Sequence, residues 1–340
     1  MHSDASEAEI IQVEERLRQS EANLHLKRTD GEELTIIAAV GDASAVDAMQ
    51  LESLAGVDRV MPISKPYKLA SSEARQHERS AFQIGSAKIG PEHFCLIAGP
   101  CTVEDNQRAI DDAVASSAAG ASMIRAGIFK PRTSPFAFQG PGLAGIETLK
   151  EIKRITGLPV VSELTSARHA EALAEAVDVI QIGARNMQNY NLLEVVGKLE
   201  RPVLLKRGLS STLDELLQAA DYILKEGQEQ VILCERGIRT FETATRFTLD
   251  LNVIPYLKLQ THLPVIIDPS HAAGDRRLVP AMSRAAAAVG ADGIMIETTA
   301  EPELALCDGP QQVPVAEIAD LAKAVFAHAR LVGRAPSRNF

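Results

Sequence analysis

The segment LPVVSELTSARHAEALAEAVDVIQIG, residues 158–183, contains two short apolar runs separated by a helical stretch. The same alternation begins at Phe94 and continues to about residue 298. Runs rich in Val and Ile that alternate with helices are typical of parallel strands covered on their outer face. The eight runs are FCLIAG (94–99), ASMIRAG (121–127), LPVVSEL (158–164), VDVIQIG (177–183), PVLLKRG (202–208), EQVILCERG (229–237), LPVIIDPSH (263–271) and ADGIMIET (291–298).

Eight strand–helix units predict a closed (β/α)8 TIM barrel over residues 93–340. An open, doubly wound sheet is the alternative, since seven of the eight spacings also fit it. A barrel needs about 250 residues, so a chain of 340 has room for a small second domain. Polar and charged residues cluster where each run ends. In a barrel those ends share one face, and that face carries the active site.

Residues 1–68 predict a small ferredoxin-like α+β domain whose first strand is missing. A helix with Ile10, Val13 and Leu17 on one face opens the α-β-β-α-β order, one strand short of the βαββαβ pattern. Residues 69–92 are polar and irregular, which indicates a linker. The further predicted elements are the strands NLHLKR (23–28) and LTIIAAV (34–40), a helix from Asp42 to near Gly56, and the strand VDRVMPI (57–63).

Composition limits the partners and the compartment. A net charge of -10 gives no general attraction to nucleic acid or to an anionic membrane. No apolar stretch reaches the ~18–20 residues of a membrane span, and MHSDASEAEI (1–10) does not resemble a signal peptide. The four cysteines match no disulfide framework and no CxxC pattern. We therefore expect a cytoplasmic protein with reduced thiols.

Cationic residues recur at the predicted strand ends. They are Arg125, the loop Lys130-Pro131-Arg132-Thr133, Arg185, Lys206, Arg207 and Arg236. Arg suits phosphate and carboxylate because its planar fork donates two parallel hydrogen bonds. For each residue alone, a solvated loop position or half of an ion pair is as good an interpretation as a contact to phosphate or carboxylate. Together, in an acidic protein, they indicate a pocket for two phosphorylated or carboxylated groups.

A second set of strand-end residues could bind a metal ion. Cys101, His271, Glu297 and Asp308 follow or end the first, seventh and eighth strands. A thiolate, an imidazole and two carboxylates suit Mn²⁺, Fe²⁺, Co²⁺ or Zn²⁺. Only their expected position on one face of the barrel links these residues. Taken singly, each is interpreted as a packed core residue or as a polar group with a hydrogen-bond partner inside the protein.

Seven motifs, in order along the barrel, resemble the 3-deoxy-D-arabino-heptulosonate 7-phosphate (DAHP) synthases of type I. They are IAGPCTVED (97–105), RAGIFKPRTSPFAFQG (125–140), QIGARNMQN (181–189), LLKRG (204–208), LCERGIRTFE (233–242), IDPSHAAGDR (267–276) and ALCDGPQQ (305–312). The subgroup is the one that is similar to the 3-deoxy-D-manno-octulosonate 8-phosphate (KDO8P) synthases. SKPYKLAS (64–71) resembles the linker of members with a ferredoxin-like N-terminal extension.

The resemblance implies condensation of phosphoenolpyruvate with erythrose 4-phosphate, the first step of the shikimate pathway towards the aromatic amino acids. It also implies a role for each group of residues. Lys130, Cys101 and His271 would be catalytic, and Glu163 is our hypothesis for a water-positioning base, the alternative being a partner for a neighbouring Arg. The implied sets are Cys101, His271, Glu297 and Asp308 for the metal; Arg125, Lys130, Arg185, Lys206 and Arg236 for phosphoenolpyruvate; and Pro131, Arg132, Thr133 and Ser134, with Arg207 as a further contact, for erythrose 4-phosphate.

The resemblance further implies a homotetramer and feedback inhibition by Tyr or Phe through the N-terminal extension. Two other functions stay open. One is a KDO8P synthase that uses arabinose 5-phosphate, against which KPRT (130–133) argues, because those enzymes resemble KANRTS here. The other is a catalytically idle barrel that acts as a regulatory binding partner, for example of a chorismate mutase.

Overall fold

The computed structural model describes residues 1–19, 24–30, 35–40, 46, 50–61 and 65–338. The N-terminal unit begins with the helix Glu7–Arg18, where Ser6 and Glu9 form a reciprocal capping box. Its apolar face buries Ile10, Val13 and Leu17, as the sequence predicts. Two antiparallel strands follow, β1 (His25–Asp30) and β2 (Thr35–Val40), which confirms both predicted strands.

The rest of this unit differs from the prediction. Residues 42–45 and 47–49 of the expected helix from Asp42 to Gly56 lie outside the described residues, residue 46 is helical, and Leu51–Ser53 forms a short 3-10 turn. The strand expected over VDRVMPI is wrong for the described residues 57–61, which have no strand conformation; residues 62 and 63 lie outside the described part.

Residues 69–92 are more ordered than the predicted irregular linker. Strands β3 (Phe82–Ile84) and β4 (Ala87–Ile89) form an antiparallel hairpin. Ile84, Ala87 and Ile89 belong to the same buried cluster as the side chains inside the barrel. The hairpin therefore closes the end of the barrel at which the strands begin, and leaves the opposite end for a site. Its strands, FQI and AKI, are only three residues long, too short to be recognised as strands from the sequence.

The barrel has the eight strands that the sequence predicts. Parallel pairing runs in chain order, and the last strand pairs with the first, so that Glu297 lies opposite Gly99. This pairing excludes the open sheet. The strands are β5 (His93–Gly99), β6 (Met123–Arg125), β7 (Val160–Glu163), β8 (Val179–Ile182), β9 (Val203–Lys206), β10 (Val231–Glu235), β11 (Val265–Ile267) and β12 (Gly293–Thr299).

Helices cover the outer face of the barrel. They are Asn106–Ala118, Ile146–Thr156, Ala170–Ala176, Tyr190–Gly197, Leu213–Lys225, Val253–Gln260, Val279–Ala288 and Ile318–Leu331. A further short helix, Pro269–Ala273, directly follows β11 at the carboxyl end of the barrel. Short strands β13 (Val313–Pro314) and β14 (Ala335–Pro336) pair in parallel with β12 and β5. No helix in the described part of the chain is both long and apolar enough to cross a bilayer.

Two layers of apolar side chains stabilise the barrel. Strand residues that face outward, such as Leu96 and Leu205, pack against the helices, and residues that face inward fill the interior. Each fully buried Val, Leu or Ile contributes roughly 1.5–3 kcal/mol relative to exposure. Cys95 and Cys234 lie in the inner layer, where they pack with the apolar side chains. The rigid strands hold the polar residues at their carboxyl ends in fixed positions.

Candidate active site

Three of the four candidate metal ligands lie together at the carboxyl end of the barrel. One ligand atom each from Cys101, Glu297 and Asp308 forms a group in which all atoms are within 4.8 Å of one another. The closure of the barrel explains this, because the pairing of β5 with β12 sets Glu297 opposite Gly99, two residues before Cys101. Asp308 has a left-handed backbone with φ 52°, a conformation that Asp tolerates better than most residues.

His271 completes the set. The short helix Pro269–Ala273 is capped by Asp268, whose side chain accepts the His271 backbone N–H at 2.9 Å. The other Asp268 oxygen lies 2.7 Å from His271 Nδ1. Because an ionised carboxylate only accepts, Nδ1 carries the hydrogen, and Nε2 keeps its lone pair 3.4 Å from Glu297 Oε1. Burial lowers the pKa of His271 to about 4, so its imidazole is neutral at pH 7.

These residues fit a divalent transition-metal ion. Glu297 is fully buried, and its Oε1 makes no hydrogen bond within the described residues, although Arg125 Nη2 lies 3.0 Å away. Burial alone would raise the pKa of Glu297, but the positive charges of Arg125 and Lys130 outweigh it and lower the pKa. A buried, ionised carboxylate beside a thiol, a neutral imidazole and a second carboxylate matches the ligands such ions prefer.

Lys130 joins the ligand group to the neighbouring cleft. Its Nζ lies 2.9 Å from Cys101 Sγ and 2.6 Å from Asp308 Oδ2. Burial would lower the pKa of Lys130, yet its interactions with Cys101, Glu297 and Asp308 raise the pKa well above the ordinary value. Lys130 therefore stays a cation next to both parts of the site.

A cleft of about 650 Å³ opens beside the ligand group. All five cationic residues predicted for phosphoenolpyruvate line it, together with Cys101, Pro131, Glu163 and His271. Strand ends that are far apart in sequence thus meet at one cavity. The five cations that line it are Arg125, Lys130, Arg185, Lys206 and Arg236.

The side chains that line the cleft carry a net positive charge. Arg125 pairs with Glu297 at 3.0 Å, and Lys206 pairs with Asp268 at 2.5 Å. Arg185 has no ion pair within 4.0 Å in the part of the chain that the structure describes. Arg125 Nη1 is buried and has no hydrogen-bond partner among the described residues. Arg236 lies with its guanidinium 4.0 Å from the centre of the Phe247 ring, which fixes its plane.

The residues predicted for erythrose 4-phosphate separate into two groups. Pro131 lines the cleft, and Arg132 is half-buried with Nη1 unpartnered among the described residues. Thr133 and Ser134 are exposed and do not line the cleft. Arg207 also points elsewhere: its side chain binds Glu235 at 2.9 Å and does not line the cleft, so the geometry does not support it as a substrate contact.

Glu163 ends β7 and lines the cleft. It accepts a hydrogen bond from Gln181 Nε2 at 3.0 Å. Burial raises the pKa of Glu163 despite the nearby Lys130, Lys206 and Arg125. A Cβ at Gly183 would lie 2.0 Å from Glu163 Oε1, so a side chain there would displace this carboxylate. No cationic nitrogen of the described residues lies within 4.0 Å of Glu163, which disfavours the alternative of a simple Arg partner.

Sequence reasoning missed several residues that support the site. Gln311 donates to Glu297 Oε2 at 2.7 Å, and Arg246 donates to Asp308 Oδ1 at 3.2 Å. Arg246 comes from an irregular segment with no periodic pattern, so nothing in the sequence pointed to it. Asp268 was identifiable, because an Asp before Pro at the end of a strand is a helix-capping signal.

The chain matches two family models. The DAHP synthetase I family model matches residues 71–332, and the DAHP synthase ferredoxin-like domain model matches residues 1–65. A phospho-2-dehydro-3-deoxyheptonate aldolase of Thermotoga maritima is 46% identical over 291 residues, which cover 86% of each chain. A 2-dehydro-3-deoxyphosphooctonate aldolase of Geobacter sulfurreducens is 33% identical over 71% of this chain and 94% of the relative.

Solved structures agree with these matches. The crystal structure of the Thermotoga maritima DAHP synthase covers 98% of this chain and 97% of its own, with 41% identity and a TM-score of 0.78. A truncated form of the synthase from the same organism covers 79% of this chain and 99% of its own, with a TM-score of 0.74. A (β/α)8 barrel with a ferredoxin-like N-terminal domain, matched over most of its length, places this chain in the DAHP synthetase I family.

Proposed function

We propose that this enzyme condenses phosphoenolpyruvate with D-erythrose 4-phosphate and water, in a metal-dependent reaction that yields DAHP and inorganic phosphate. This would be the first step of the shikimate pathway. The observation that carries the proposal is one cleft that holds five cations directly beside a thiol, imidazole and carboxylate group. A pocket for dianionic substrates next to a transition-metal site suits an aldol-type condensation of two phosphorylated compounds.

The cations would bind and orient phosphoenolpyruvate. Arg185 and Arg236, together with Lys206, would hold its phosphate and carboxylate through charge-assisted hydrogen bonds. Arg125 has a buried free donor for the same purpose. Fixing both charged groups of one substrate holds its carbon 3 near the second substrate, and such proximity lowers the barrier of a bimolecular step.

Cys101, His271, Glu297 and Asp308 would hold the divalent ion, which when bound supplies Lewis-acid polarisation of the aldehyde. Lys130 lies between these ligands and the cleft, so its ammonium would neutralise negative charge that develops as the carbon–carbon bond forms. Glu163, buried and with a raised pKa, would take a proton from the water that adds at carbon 2. Phosphate would then leave by cleavage of its bond to carbon 2 and take the proton of the hydroxyl that becomes the keto group, while the proton taken by Glu163 would go to the alkoxide formed from the aldehyde.

The loop Lys130–Thr133 would select the four-carbon aldose. Pro131 lines the cleft and Arg132 has an unpartnered donor among the described residues, which suits a sugar phosphate at this wall. Thr133 and Ser134 would contribute only if the loop closed over bound substrate. Arabinose 5-phosphate is the rival substrate, and the octulosonate relatives at 31–33% identity are the reason to test it.

The deciding experiment follows loss of phosphoenolpyruvate absorbance with each aldose, with Mn²⁺ and with a chelator. We expect fast turnover with erythrose 4-phosphate that stops on chelation and returns with Mn²⁺. Preference for arabinose 5-phosphate would assign the sister activity. No turnover with either aldose, in folded protein loaded with Mn²⁺, would favour an idle barrel that serves a partner such as a chorismate mutase.

We also propose that Tyr or Phe inhibits the enzyme and that it forms a homotetramer. The match of residues 1–65 to the ferredoxin-like domain of these synthases supports this. An apolar cavity lined by Leu17, Ile37 and Leu51, among other described residues, lies in that unit. Activity that stays unchanged in a tenfold excess of Tyr or Phe, measured at saturating substrate, would contradict inhibition. Light scattering would measure the oligomeric state.

A further inference from the structure

Glu104 ties together the two loops that carry Cys101 and Asp308. It lies three residues after Cys101, in the loop that follows β5. Its carboxylate accepts the backbone N–H of Leu306 at 2.9 Å and that of Cys307 at 3.1 Å. The side chain is only 6% exposed, although it belongs to a loop at the mouth of the barrel.

Two further contacts orient this carboxylate. Arg108, one helical turn on, donates to Glu104 Oε2 at 2.9 Å. The Cys307 thiol lies 3.4 Å from Glu104 Oε1. Hydrogen bonds from two successive backbone N–H groups to one ionised side chain are charge-assisted and fix the direction of the chain that donates them.

The chain direction matters because Asp308 follows directly. Asp308 has a left-handed backbone, which is less favourable than a right-handed one for a residue with a side chain. The segment between Ala300 and Gln312 contains only short 3-10 turns. Without an outside anchor, little in the segment itself would hold Asp308 at its distance from Cys101.

We propose that Glu104 is a positioning residue for the metal site, which holds the Asp308 carboxylate against Cys101 through the backbone of Leu306 and Cys307. The inference rests on the proposed function, because it assumes that these residues bind a divalent ion. Groups that orient metal ligands typically change affinity by 10–100-fold when they are removed. Glu104 itself contacts neither the cleft nor its cations.

The test measures Mn²⁺ affinity of the full chain by titration, for wild type, Glu104→Ala, Glu104→Gln and Arg108→Met. We expect the dissociation constant to rise about 10–100-fold in Glu104→Ala. Glu104→Gln should give a smaller rise, since its amide keeps one accepting oxygen. Arg108→Met, the matched control, removes the ion pair but not the acceptor and should stay within about threefold of wild type.

Two other readouts separate positioning from a general structural role. In metal-free protein, hydrogen exchange at the Leu306 and Cys307 amides should be faster in the Glu104 variants than in wild type. At saturating Mn²⁺, turnover should recover, because Glu104 does not touch substrate. Unchanged Mn²⁺ affinity and unchanged exchange in Glu104→Ala would overturn the inference, and Glu104→Gln decides the question if the Ala variant does not fold.

A Cys101→Ala variant keeps this inference separate from the proposed function. If Cys101→Ala binds Mn²⁺ as tightly as wild type, the metal site itself is wrong. If Cys101→Ala loses Mn²⁺ and Glu104→Ala does not weaken it, only the role of Glu104 is wrong.

Discussion

One oxygen of Asp268 contacts both halves of the site: Oδ2 lies 2.7 Å from His271 Nδ1 and 2.5 Å from Lys206 Nζ. Asp268 is fully buried, and although burial alone would raise its pKa, His271 and Lys206 lower the pKa well below the usual range. A permanently ionised carboxylate therefore connects the candidate metal ligand to a cation that lines the substrate cleft.

Asp268→Asn should weaken both functions of the site. An amide cannot accept from His271 and Lys206 as a carboxylate does, so the imidazole loses its fixed tautomer and orientation. We expect Mn²⁺ affinity to fall about 10–100-fold, together with a rise in KM for phosphoenolpyruvate. Titration and steady-state kinetics measure the two effects. Asp275→Asn, on the same segment at a half-buried residue that pairs with Arg277 and does not line the cleft, is the control, and equal values for both variants would contradict the linkage.

Arg185→Ala and Arg207→Ala form a matched pair. Arg185 lines the cleft, whereas Arg207 binds Glu235 and is 6% exposed. Loss of Arg185 should raise KM for phosphoenolpyruvate about 10–100-fold, the equivalent of 1.5–3 kcal/mol for a charge-assisted hydrogen bond. Loss of Arg207 leaves Glu235 buried without its partner, so it should lower the melting temperature instead. The reverse pattern in kinetics and thermal unfolding would contradict the assignment.

Glu163→Gln should reduce turnover while the metal site stays intact. The amide keeps the shape of the side chain but cannot take a proton from water. Removal of a general base typically costs about 10²–10⁴ in rate. We expect a loss of kcat of at least about 100-fold, the low end of that range, with Mn²⁺ affinity within error of wild type. Near-normal kcat would show that Glu163 does not position or activate water.

His262 should make stability depend on pH between 4 and 6.5. Burial lowers its pKa to about 4, and its ring contacts Ser80 Oγ and the Leu69 carbonyl oxygen. Between those values the unfolded chain binds a proton that the folded chain does not, so the free energy of unfolding falls as pH falls. The loss from pH 7 to pH 5 is about 2 kcal/mol.

The measurement for His262 is denaturant unfolding of wild type and His262→Gln at both pH values. The Gln variant should be less stable at pH 7 but should lose about 2 kcal/mol less on acidification, since it cannot titrate. An equal pH dependence in the two proteins would show that another group causes the effect.

The sequence alone determined the barrel strands, because Val- and Ile-rich runs at regular spacing are local patterns. It also placed each polar residue at a strand end, which in a barrel means one face. The sequence did not predict the hairpin at 82–89, because its strands are three residues long and are stabilised by contacts with the barrel interior. The strand expected over 57–63 is wrong for residues 57–61, because Val57 and Val60 pack against the cluster that contains Val13 and Leu17 and pair with no strand of the described residues.

Only the tertiary structure decided which strand-end residues act together. Arg125 and Arg207 look alike in sequence, yet one faces the cleft and the other turns to Glu235. Whether the sheet closes is also not a local property, since it depends on the pairing of Glu297 in the last strand with Gly99 in the first. The contacts of Asp268 and Glu104 are also decided by the tertiary structure, because they join groups that come together only when the barrel has closed.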